Sequence, residues 1–359
     1  MGIKNLNKFL NKHAPRVFRE SHLSKYATKK VAVDINVYLY RFKSMHKERW
    51  LSALFNLIMT LLSHQITCVF IYDTKAPMEK DDRKKERRQK KRNAEKRMQD
   101  IQVAIGSYET SGKLPPILEN IMDKRSFRLQ RLNAEVSLDR EAVSKELEQL
   151  ENQVINVTRA DILASKELLR LLGIPAYDSN DEAETLCSHF CIHQQVDAVL
   201  SNDTDVLVYG TPIFISKLNT HTGVCTETQY PEILDSLSLT KNQFTDFCIM
   251  CGTDYNKNIF RIGCEKAFKL IKKYGSIEDI RENMAINVEI LNHERVREIF
   301  RTPETLPSHY VLTHAEPDIY NLEAFAAHHN MVINTNTVTK LTSRISAPPG
   351  NFTAVASTQ

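Results

Sequence analysis

Acidic residues occur in two closely spaced pairs in the middle of the chain. Residues 201–210 (SNDTDVLVYG) contain Asp203 and Asp205, and the segment NDEAE upstream of them contains Glu182 and Glu184. Carboxylates held this close repel one another. At a separation of ~4 Å and an effective dielectric constant of ~20, the repulsion is ~4 kcal/mol per pair. A cation among them would relieve the repulsion. Because all-oxygen ligands suit hard ions, the expected cation is magnesium or manganese rather than zinc.

Short apolar runs rich in β-branched or aromatic residues indicate the elements that hold these acids. Four of them are predicted as buried strands: residues 30–35, 67–72, 196–200 and 212–216. Helical patterns lie between them, including residues 51–63 and 162–172. Strands separated by helices predict an α/β fold, with a mostly parallel central sheet and helices on both faces. In such sheets, polar groups at the carboxyl ends of the strands converge on one crevice.

This rule brings acids from three strands to one edge of the sheet. Asp34 ends the first predicted strand, Asp73 follows the second, and Asp203 and Asp205 follow the third. If the segment is extended, the last two side chains also share one face. The sequence therefore predicts a carboxylate cluster at this edge.

The upstream pair has a competing structural explanation. Ser179 and Glu182 have the spacing of a capping box, which would begin a helix there. Capping and metal binding are equally good explanations of Glu182 taken singly. Capping does not explain Glu184.

Positive charge is concentrated in one segment. The whole chain carries a net charge of +4, whereas residues 80–98 (KDDRKKERRQKKRNAEKRM) contain eleven Lys or Arg against four acids. Such a stripe is typical of surfaces that bind phosphate backbones. A solvated helix face or a localisation signal explains the stripe about as well.

The stripe continues into a helical region. After a proline-containing break at residues 114–116, apolar residues recur at near-heptad spacing and predict a second helix that returns on the first. A single amphipathic helix packed on the globule is the alternative. The recurring residues are Val136, Val143, Leu147, Leu150 and Val154.

Cysteine usage and hydropathy favour an intracellular protein. The seven cysteines are odd in number and scattered, which suits reduced thiols. No apolar run is long enough for a membrane span, and the amino terminus lacks a secretory signal. Cys248 and Cys251 form a C-x-x-C without a second pair, so buried thiols on a helix are expected. The same holds for the alternating Cys187, His189, Cys191 and His193, which we expect at core and surface positions rather than in a metal site.

Six ordered blocks over residues 1–290 carry a family resemblance. They are MGIKNLNKFL, VAVDINVYLYRF, YDTKAP, GIPAYDSNDEAE, SNDTDVLVYG and NQFTDFCIMCGTDYNKNIFRIGCEKAFKLIKKYGS. Together they resemble the flap endonuclease family of structure-specific, XPG-like 5′ nucleases. The compact tail and the long interval between Asp73 and Glu182 hint at a viral or otherwise divergent member.

The resemblance implies a PIN-like nuclease fold and a site for two magnesium or manganese ions. It also implies a helical arch and a helix-two-turn-helix element. The first metal would be served by Asp34, Asp73, Glu182 and Glu184, and the second by Asp203, Asp205 and Asp254.

The resemblance further implies contacts with branched or flapped DNA. Gly2 would bring the amino terminus close to the site, and Tyr40 would stack on a base, although core packing is the ordinary expectation for a tyrosine. Lys80 and Arg87 would be the catalytic arch cations, with Lys84 the alternative to Arg87. The rest of the stripe, Arg88 included, would line an arch that a single-stranded 5′ end threads.

The last of the six blocks, through its resemblance to the helix-two-turn-helix element, implies binding to duplex DNA. Backbone carbonyls of Ile259 and Ile262 would hold potassium, and helix lysines could reach phosphates, although a solvated face explains those lysines about as well. These lysines are Lys266, Lys269, Lys272 and Lys273.

Three departures from the family pattern bear on this transfer. Thr74 and Arg261 stand where relatives usually have glycine, so we expect the local backbone to differ there. The interval before Glu182 is long, and the tail, predicted to be mobile from residue 344 onward, has no sliding-clamp motif, so clamp binding is not expected.

The sequence thus predicts a magnesium-dependent 5′ flap endonuclease of DNA replication, repair or recombination. Its alternatives are a 5′ exonuclease, a junction-cleaving or RNA-directed nuclease of the same family, or a non-catalytic DNA-binding module. The expected location is the nucleus or, for a viral member, a cytoplasmic replication site. The predicted regions are a nuclease region (1–77), a basic arch (78–157), a second nuclease region (158–236), the helix-two-turn-helix element (237–290) and a carboxyl-terminal region (291–359).

Overall fold

The computed structural model describes residues 2–74, 78–122, 138–303 and 310–346. The chain forms two compact units. One contains Met1–Glu79 and Thr158–Gln359, and it holds the β-sheet. The other, Lys80–Val157, is helical in its described part.

A seven-stranded mixed sheet forms the centre of the first unit. Its spatial order is β1-β7-β6-β5-β2-β3-β4. The five strands β2 to β6 run parallel to one another, whereas β7 is antiparallel to both β6 and β1. The strands are β1 Arg19–His22, β2 Lys30–Asp34, β3 Thr67–Tyr72, β4 Ala176–Asp178, β5 Ala198–Leu200, β6 Ile213–Ser216 and β7 Val224–Gln229.

Sixteen helices are described. In chain order they are α1 Leu6–His13, α2 Ile35–His46, α3 Trp50–Ser63, α4 Asp81–Ser111, α5 Pro116–Glu119, α6 Arg140–Val154, α7 Arg159–Leu171, α8 Ala183–Ile192, α9 Asp205–Tyr209, α10 Tyr230–Leu237, α11 Lys241–Cys251, α12 Cys264–Tyr274, α13 Ile277–Asn283, α14 His293–Ile299, α15 Ile319–His328 and α16 Thr335–Ser346. None of these described helices combines the length and the apolar character that crossing a bilayer requires.

The predicted α/β fold with a mostly parallel sheet is confirmed. Each of the four predicted strands is present, and β3 has the predicted bounds. β2 ends one residue early because Ile35 already begins α2. The central strands are buried almost throughout, as their continuous apolar runs predict for a sheet covered on both faces.

Two helices of the second unit pack along each other. α4 has 31 residues, so it is ~46 Å long at ~1.5 Å per residue. It ends at Gly112, which adopts a left-handed conformation. Val143 and Leu150 of α6 are buried against Ala94 and Ile101 of α4. The predicted helical return is therefore present, although Val136 lies outside the described residues.

The carboxyl-terminal region is more ordered at its start than the sequence suggests. α16 continues through Ser346, so the tail predicted to begin at residue 344 begins no earlier than 347. Residues 347–359 lie outside the described part of the chain.

Candidate metal centre

Three buried carboxylates meet beside the parallel strands. Glu184 lies in the first turn of α8, Asp203 follows β5, and Asp205 is the first residue of α9. Each offers one oxygen, and these oxygens lie within 4.8 Å of one another. The donor set contains only carboxylate oxygens, which suits a hard divalent cation. The three side chains could therefore share one such ion.

The segment that carries Asp203 and Asp205 is a turn rather than a strand. Thr204 has helical backbone angles and Asp205 begins a helix. The amide of Asp205 donates to Asp203 Oδ1 at 3.0 Å, and the amide of Asp203 donates to Ser201 Oγ at 3.0 Å. The extended conformation, on which the shared face of the two side chains depended, is not adopted. The two carboxylates still come together because the turn, rather than a strand pleat, directs both into the cluster.

Asp34 joins this site from the end of β2. Its side chain is buried, and Oδ2 accepts a hydrogen bond from Ser201 Oγ at 2.7 Å. Burial, together with the nearby charges of Asp73 and Asp203, raises the pKa of Asp34 to about 8, although the Ser201 bond opposes the shift. Asp34 therefore favours its neutral form at neutral pH unless a cation compensates its charge.

Asp73 caps the helix that bears the upstream acids. Its Oδ1 accepts from the amide of Ala183 at 2.7 Å, at the amino end of α8. The predicted capping box of Ser179 and Glu182 was wrong, because Glu182 makes no side-chain cap and Ser179 is not at the helix boundary. Glu182 instead accepts a hydrogen bond from the hydroxyl of Tyr255.

The loop after α11 reaches the same acids through Tyr255. Its backbone is held by Thr253, whose hydroxyl donates to Asn256 Oδ1 at 2.6 Å and accepts from the amide of Tyr255 at 2.9 Å. Burial, and then nearby groups that include Asp205, raise the pKa of the Tyr255 hydroxyl. Asp254 is half-buried in this loop, and it is outside the tight group of three carboxylates.

The amino-terminal segment packs on the turn between β5 and α9. The amide of Ile3 donates to Thr204 Oγ1 at 2.9 Å. Gly2 has a φ of +86°, and a Cβ atom there would lie 2.2 Å from Asp203 Oδ1 and 2.8 Å from the amide nitrogen of Asp205. Only glycine fits this close approach without displacing the carboxylate.

Comparisons with known proteins match both halves of this site. The model of the XPG N-terminal domain matches residues 1–94, and that of the XPG I-region matches residues 173–254. The chain is 32% identical over 335 residues to a probable RAD2-like endonuclease 076L of Invertebrate iridescent virus 3, covering 85% of this chain and 87% of that protein. It is 30% identical over 367 residues to flap endonuclease 1 of Zea mays, covering 96% and 86%. The chain belongs to the XPG family of nucleases.

Solved structures of other nucleases share the fold of this XPG-family chain. The catalytic core of Rad2 in complex with DNA substrate aligns with a TM-score of 0.64 at 17% identity, covering 96% of this chain and all of that one. Flap endonuclease-1 from Methanococcus jannaschii aligns with a TM-score of 0.60 at 20% identity, covering 92% and 96%. The predicted flap endonuclease-like family and its PIN-like fold are confirmed.

The positions predicted to contact DNA are mostly at the surface. Tyr40 on α2 is 46% exposed, so its ring is not a core residue. Arg87 and Arg88 are exposed on α4, while Lys84 lies 3.4 Å from Asp81 in an ion pair. Lys80 closes the short 3-10 turn Met78–Lys80 that precedes α4.

The turn between α11 and α12 contains Ile259 and Ile262, the residues predicted to hold potassium. The amide of Ile262 donates to the carbonyl oxygen of Ile259 at 3.1 Å. Lys266 and Lys269 are exposed on α12. Lys272 differs from the expectation for this helix, because its Nζ donates to backbone carbonyls at the end of α10, at 2.9 Å for Ser238.

The two departures from glycine have different structural consequences. Thr74 does not adopt a left-handed backbone conformation, and its hydroxyl donates to the carbonyl oxygen of Ser179. Arg261 keeps a left-handed backbone with a φ of +59°. Thr74 is therefore accommodated without strain, whereas Arg261 is not.

The other potential metal ligands are explained structurally. All seven cysteines are free, as predicted, and all of them are buried, including Cys187 and Cys191. Burial lowers the pKa of His189 to about 4, so it is neutral. A second group of side chains that could hold a metal ion consists of Glu278, His293 and Glu294. The guanidinium of Arg297 donates to Glu278 at 2.6 Å, so a positive charge already pairs with this carboxylate.

Sequence reasoning missed the residues that orient the carboxylates. Ser201 links Asp34 to the backbone of Asp203, and Tyr255 holds Glu182. Both are adjacent, or nearly so, to predicted ligands in the chain. That proximity was the available signal, but their hydrogen bonds depend on tertiary structure.

Proposed function

We propose that this chain is a structure-specific 5′ nuclease that hydrolyses phosphodiester bonds of branched or flapped DNA near the junction of single strand and duplex. The observation that supports this most is the buried all-carboxylate group at the carboxyl ends of parallel strands, in a member of the XPG nucleases. It would act in replication, repair or recombination, in the nucleus or at a cytoplasmic viral replication site.

The proposed cofactors are two magnesium or manganese ions. Glu184 would serve the first ion, and it offers one oxygen within 4.8 Å of an oxygen of Asp203 and of Asp205, the proposed ligands of the second. When bound, the ions would supply an activated water at neutral pH and stabilise the leaving oxygen. The remaining proposed ligands are Asp34, Asp73, Glu182 and Asp254.

The chain's own residues would orient these ligands. Ser201 donates a hydrogen bond to Asp34, and Tyr255 donates one to Glu182, so one oxygen of each carboxylate is fixed in position. Such positioning bonds fix ligand geometry and tune basicity. Cleavage by an activated water would leave a 5′-phosphate and a 3′-hydroxyl.

The proposed DNA contacts lie on two elements. Lys80, at the end of the 3-10 turn before α4, and Arg87 of α4, or Lys84 in place of Arg87, would contact the scissile phosphate, and Arg88 would contact the flanking strand. Arg87 and Arg88 are exposed cations, which supports their assignment. Lys80 is buried, with 8% of its surface exposed, so its assignment rests on the family resemblance alone. Tyr40 would stack on a base, and Gly2 would admit DNA close to the carboxylates.

The helix-two-turn-helix element is proposed to grip duplex. Lys266 and Lys269 would contact its phosphates. Potassium at the carbonyls of Ile259 and Ile262 would assist, since a carbonyl that already accepts one hydrogen bond retains a second lone pair.

Cleavage of labelled flap DNA in magnesium tests the proposal. Wild-type protein should release the 5′ flap, and Asp203→Asn should cut at least ~1,000-fold more slowly while binding the same DNA with similar affinity. Replacing Arg87 and Lys84 singly by Ala identifies the arch cation, because only the catalytic one should lower the single-turnover rate. Absence of cleavage by folded protein on flap, gapped, four-way and RNA substrates would refute the nuclease assignment.

A further inference from the structure

A strained, exposed arginine lies in the turn between α11 and α12. Arg261 adopts a φ of +59°, a region that residues with a Cβ atom occupy at an energetic cost. Its side chain is exposed. Nine other non-glycine residues among those described also have a positive φ, so the presence of arginine at this position has to be explained from the surroundings of its side chain.

Contacts within the protein do not provide that explanation. No carboxylate among the described residues forms an ion pair with Arg261. Glu265, a nearby acid in the sequence, is engaged by Lys12 Nζ at 2.7 Å and by His13 Nε2 at 3.0 Å. Burial does not hold Arg261 either, since the residue faces solvent.

The adjacent residue supports the guanidinium instead. Phe260 is 82% exposed, which is unusual for a large aromatic residue, and Arg261 Cζ lies 5.0 Å from the centre of its ring. A cation at this distance from an aromatic ring is attracted to it. The ring therefore restrains the guanidinium at the surface and leaves its N–H donors available to a partner.

The charge around this pair indicates the chemistry of the partner. Lys257, Lys266 and Lys269 are also exposed on the same turn and on α12. A planar guanidinium matches the oxygens of a phosphate in a bidentate manner. A polyanionic backbone fits this surface better than an apolar peptide, because the surrounding side chains are cationic.

We propose that Phe260 and Arg261 form a phosphate-binding tip for duplex DNA, in which the ring holds the guanidinium and the guanidinium binds the backbone directly. This inference rests on the proposed nuclease function and adds a specific contact to it. The contact is independent of base sequence, since it reaches only phosphate.

Binding to an unbranched duplex tests the tip in the cleavage-deficient Asp203→Asn background. Fluorescence anisotropy over a range of sodium chloride concentrations, repeated in potassium chloride, gives the affinity and its salt slope. Arg261→Gly and Arg261→Asn should each weaken binding about 5- to 10-fold and reduce the slope of log K against log salt by about 0.9, the value for one phosphate contact. Arg261→Lys should keep the slope, and Phe260→Ala should weaken binding about threefold.

Stability supplies an independent readout. Arg261→Gly should unfold at the same or a higher temperature than the parent, because glycine removes the left-handed strain. Lys340→Gln on α16 removes one exposed charge elsewhere and should leave the affinity within twofold.

Three results would overturn the proposal. The first is duplex binding by Arg261→Gly and Arg261→Asn with parental affinity and slope. The second is an Arg261 effect seen in potassium chloride but lost in sodium chloride, since a bound ion rather than the guanidinium would then make the contact. The third is failure of the parent protein to bind duplex, which would count against the proposed DNA-directed function as well. The first two results leave the nuclease assignment standing.

Discussion

Replacing Gly2 by Ala should disrupt the carboxylate cluster without removing a charge. The added Cβ would lie 2.2 Å from Asp203 Oδ1 and 2.6 Å from Thr204 Oγ1. The hydrogen bond from the amide of Ile3 to Thr204 Oγ1, at 2.9 Å, ties the segment to this turn and limits its retreat. Either Asp203 or the amino-terminal segment therefore has to move by ~1 Å to reach an ordinary contact distance.

The expected effect on the rate exceeds that on stability. Forcing alanine into a left-handed backbone costs ~1–2 kcal/mol, so the free energy of unfolding should fall by about that amount. A displacement of ~1 Å at a catalytic group can cost ~100-fold in rate. We expect Gly2→Ala to lower the single-turnover rate on flap DNA about 100-fold in saturating magnesium, with duplex affinity nearly unchanged.

Gly106 provides a matched control. It lies within α4, and a Cβ atom there would meet nothing within 4 Å. Gly106→Ala should stabilise the helix by up to ~1 kcal/mol and leave the cleavage rate unchanged. If Gly2→Ala cleaves as fast as the parent protein, the close packing of the amino-terminal segment on Asp203 does not matter for catalysis, and the reasoning is refuted.

The remaining predictions concern hydrogen bonding and protonation at the same site. Tyr255→Phe removes the hydroxyl that donates to Glu182 and should slow cleavage about 10- to 150-fold, the rate equivalent of losing ~1.5–3 kcal/mol of bonding to a charged group. Tyr230→Phe, whose buried hydroxyl has no hydrogen-bond partner among the described residues, should cleave normally. The pKa of Asp34 is 3.8 in the unfolded chain and about 8 in the folded protein. In EDTA, at pH values between these two, Asp34 is protonated in the folded protein and ionised in the unfolded chain. Stability should therefore decrease as pH rises through that window. Asp34→Asn should flatten this decrease in thermal unfolding across pH 4–8, and an unchanged slope would contradict the raised pKa.

The sequence predicts the central sheet well because its strands are continuous apolar runs. The bounds of β3 are exact, and the acids at the ends of β2 and β3 follow directly. β1 and β7 were not predicted, because their sequences, RESH and VCTETQ, are largely polar and lack the apolar run that indicates a buried strand. β4, with three residues, is too short to give a periodic signal.

The site shows where local patterns fail. Ser179 and Glu182 have capping-box spacing, yet the amide of Ala183 is bonded by Asp73, 110 residues away in the chain. The amide of Ser179, which a capping box would pair with the Glu182 side chain, instead donates to the carbonyl oxygen of Tyr72 at 2.9 Å, and Glu182 accepts from the hydroxyl of Tyr255. Spacing in the chain predicts which acids meet, but not which neighbour holds each of them.

The central claim is that these acids gather to bind hard divalent cations. Anomalous diffraction from crystals grown in manganese tests it most directly, because manganese scatters anomalously and substitutes for magnesium at oxygen sites. The account predicts two peaks within coordination distance of the carboxylates, one of them contacting Glu184, Asp203 and Asp205. Peaks elsewhere, or no peak beside these three side chains, would contradict it.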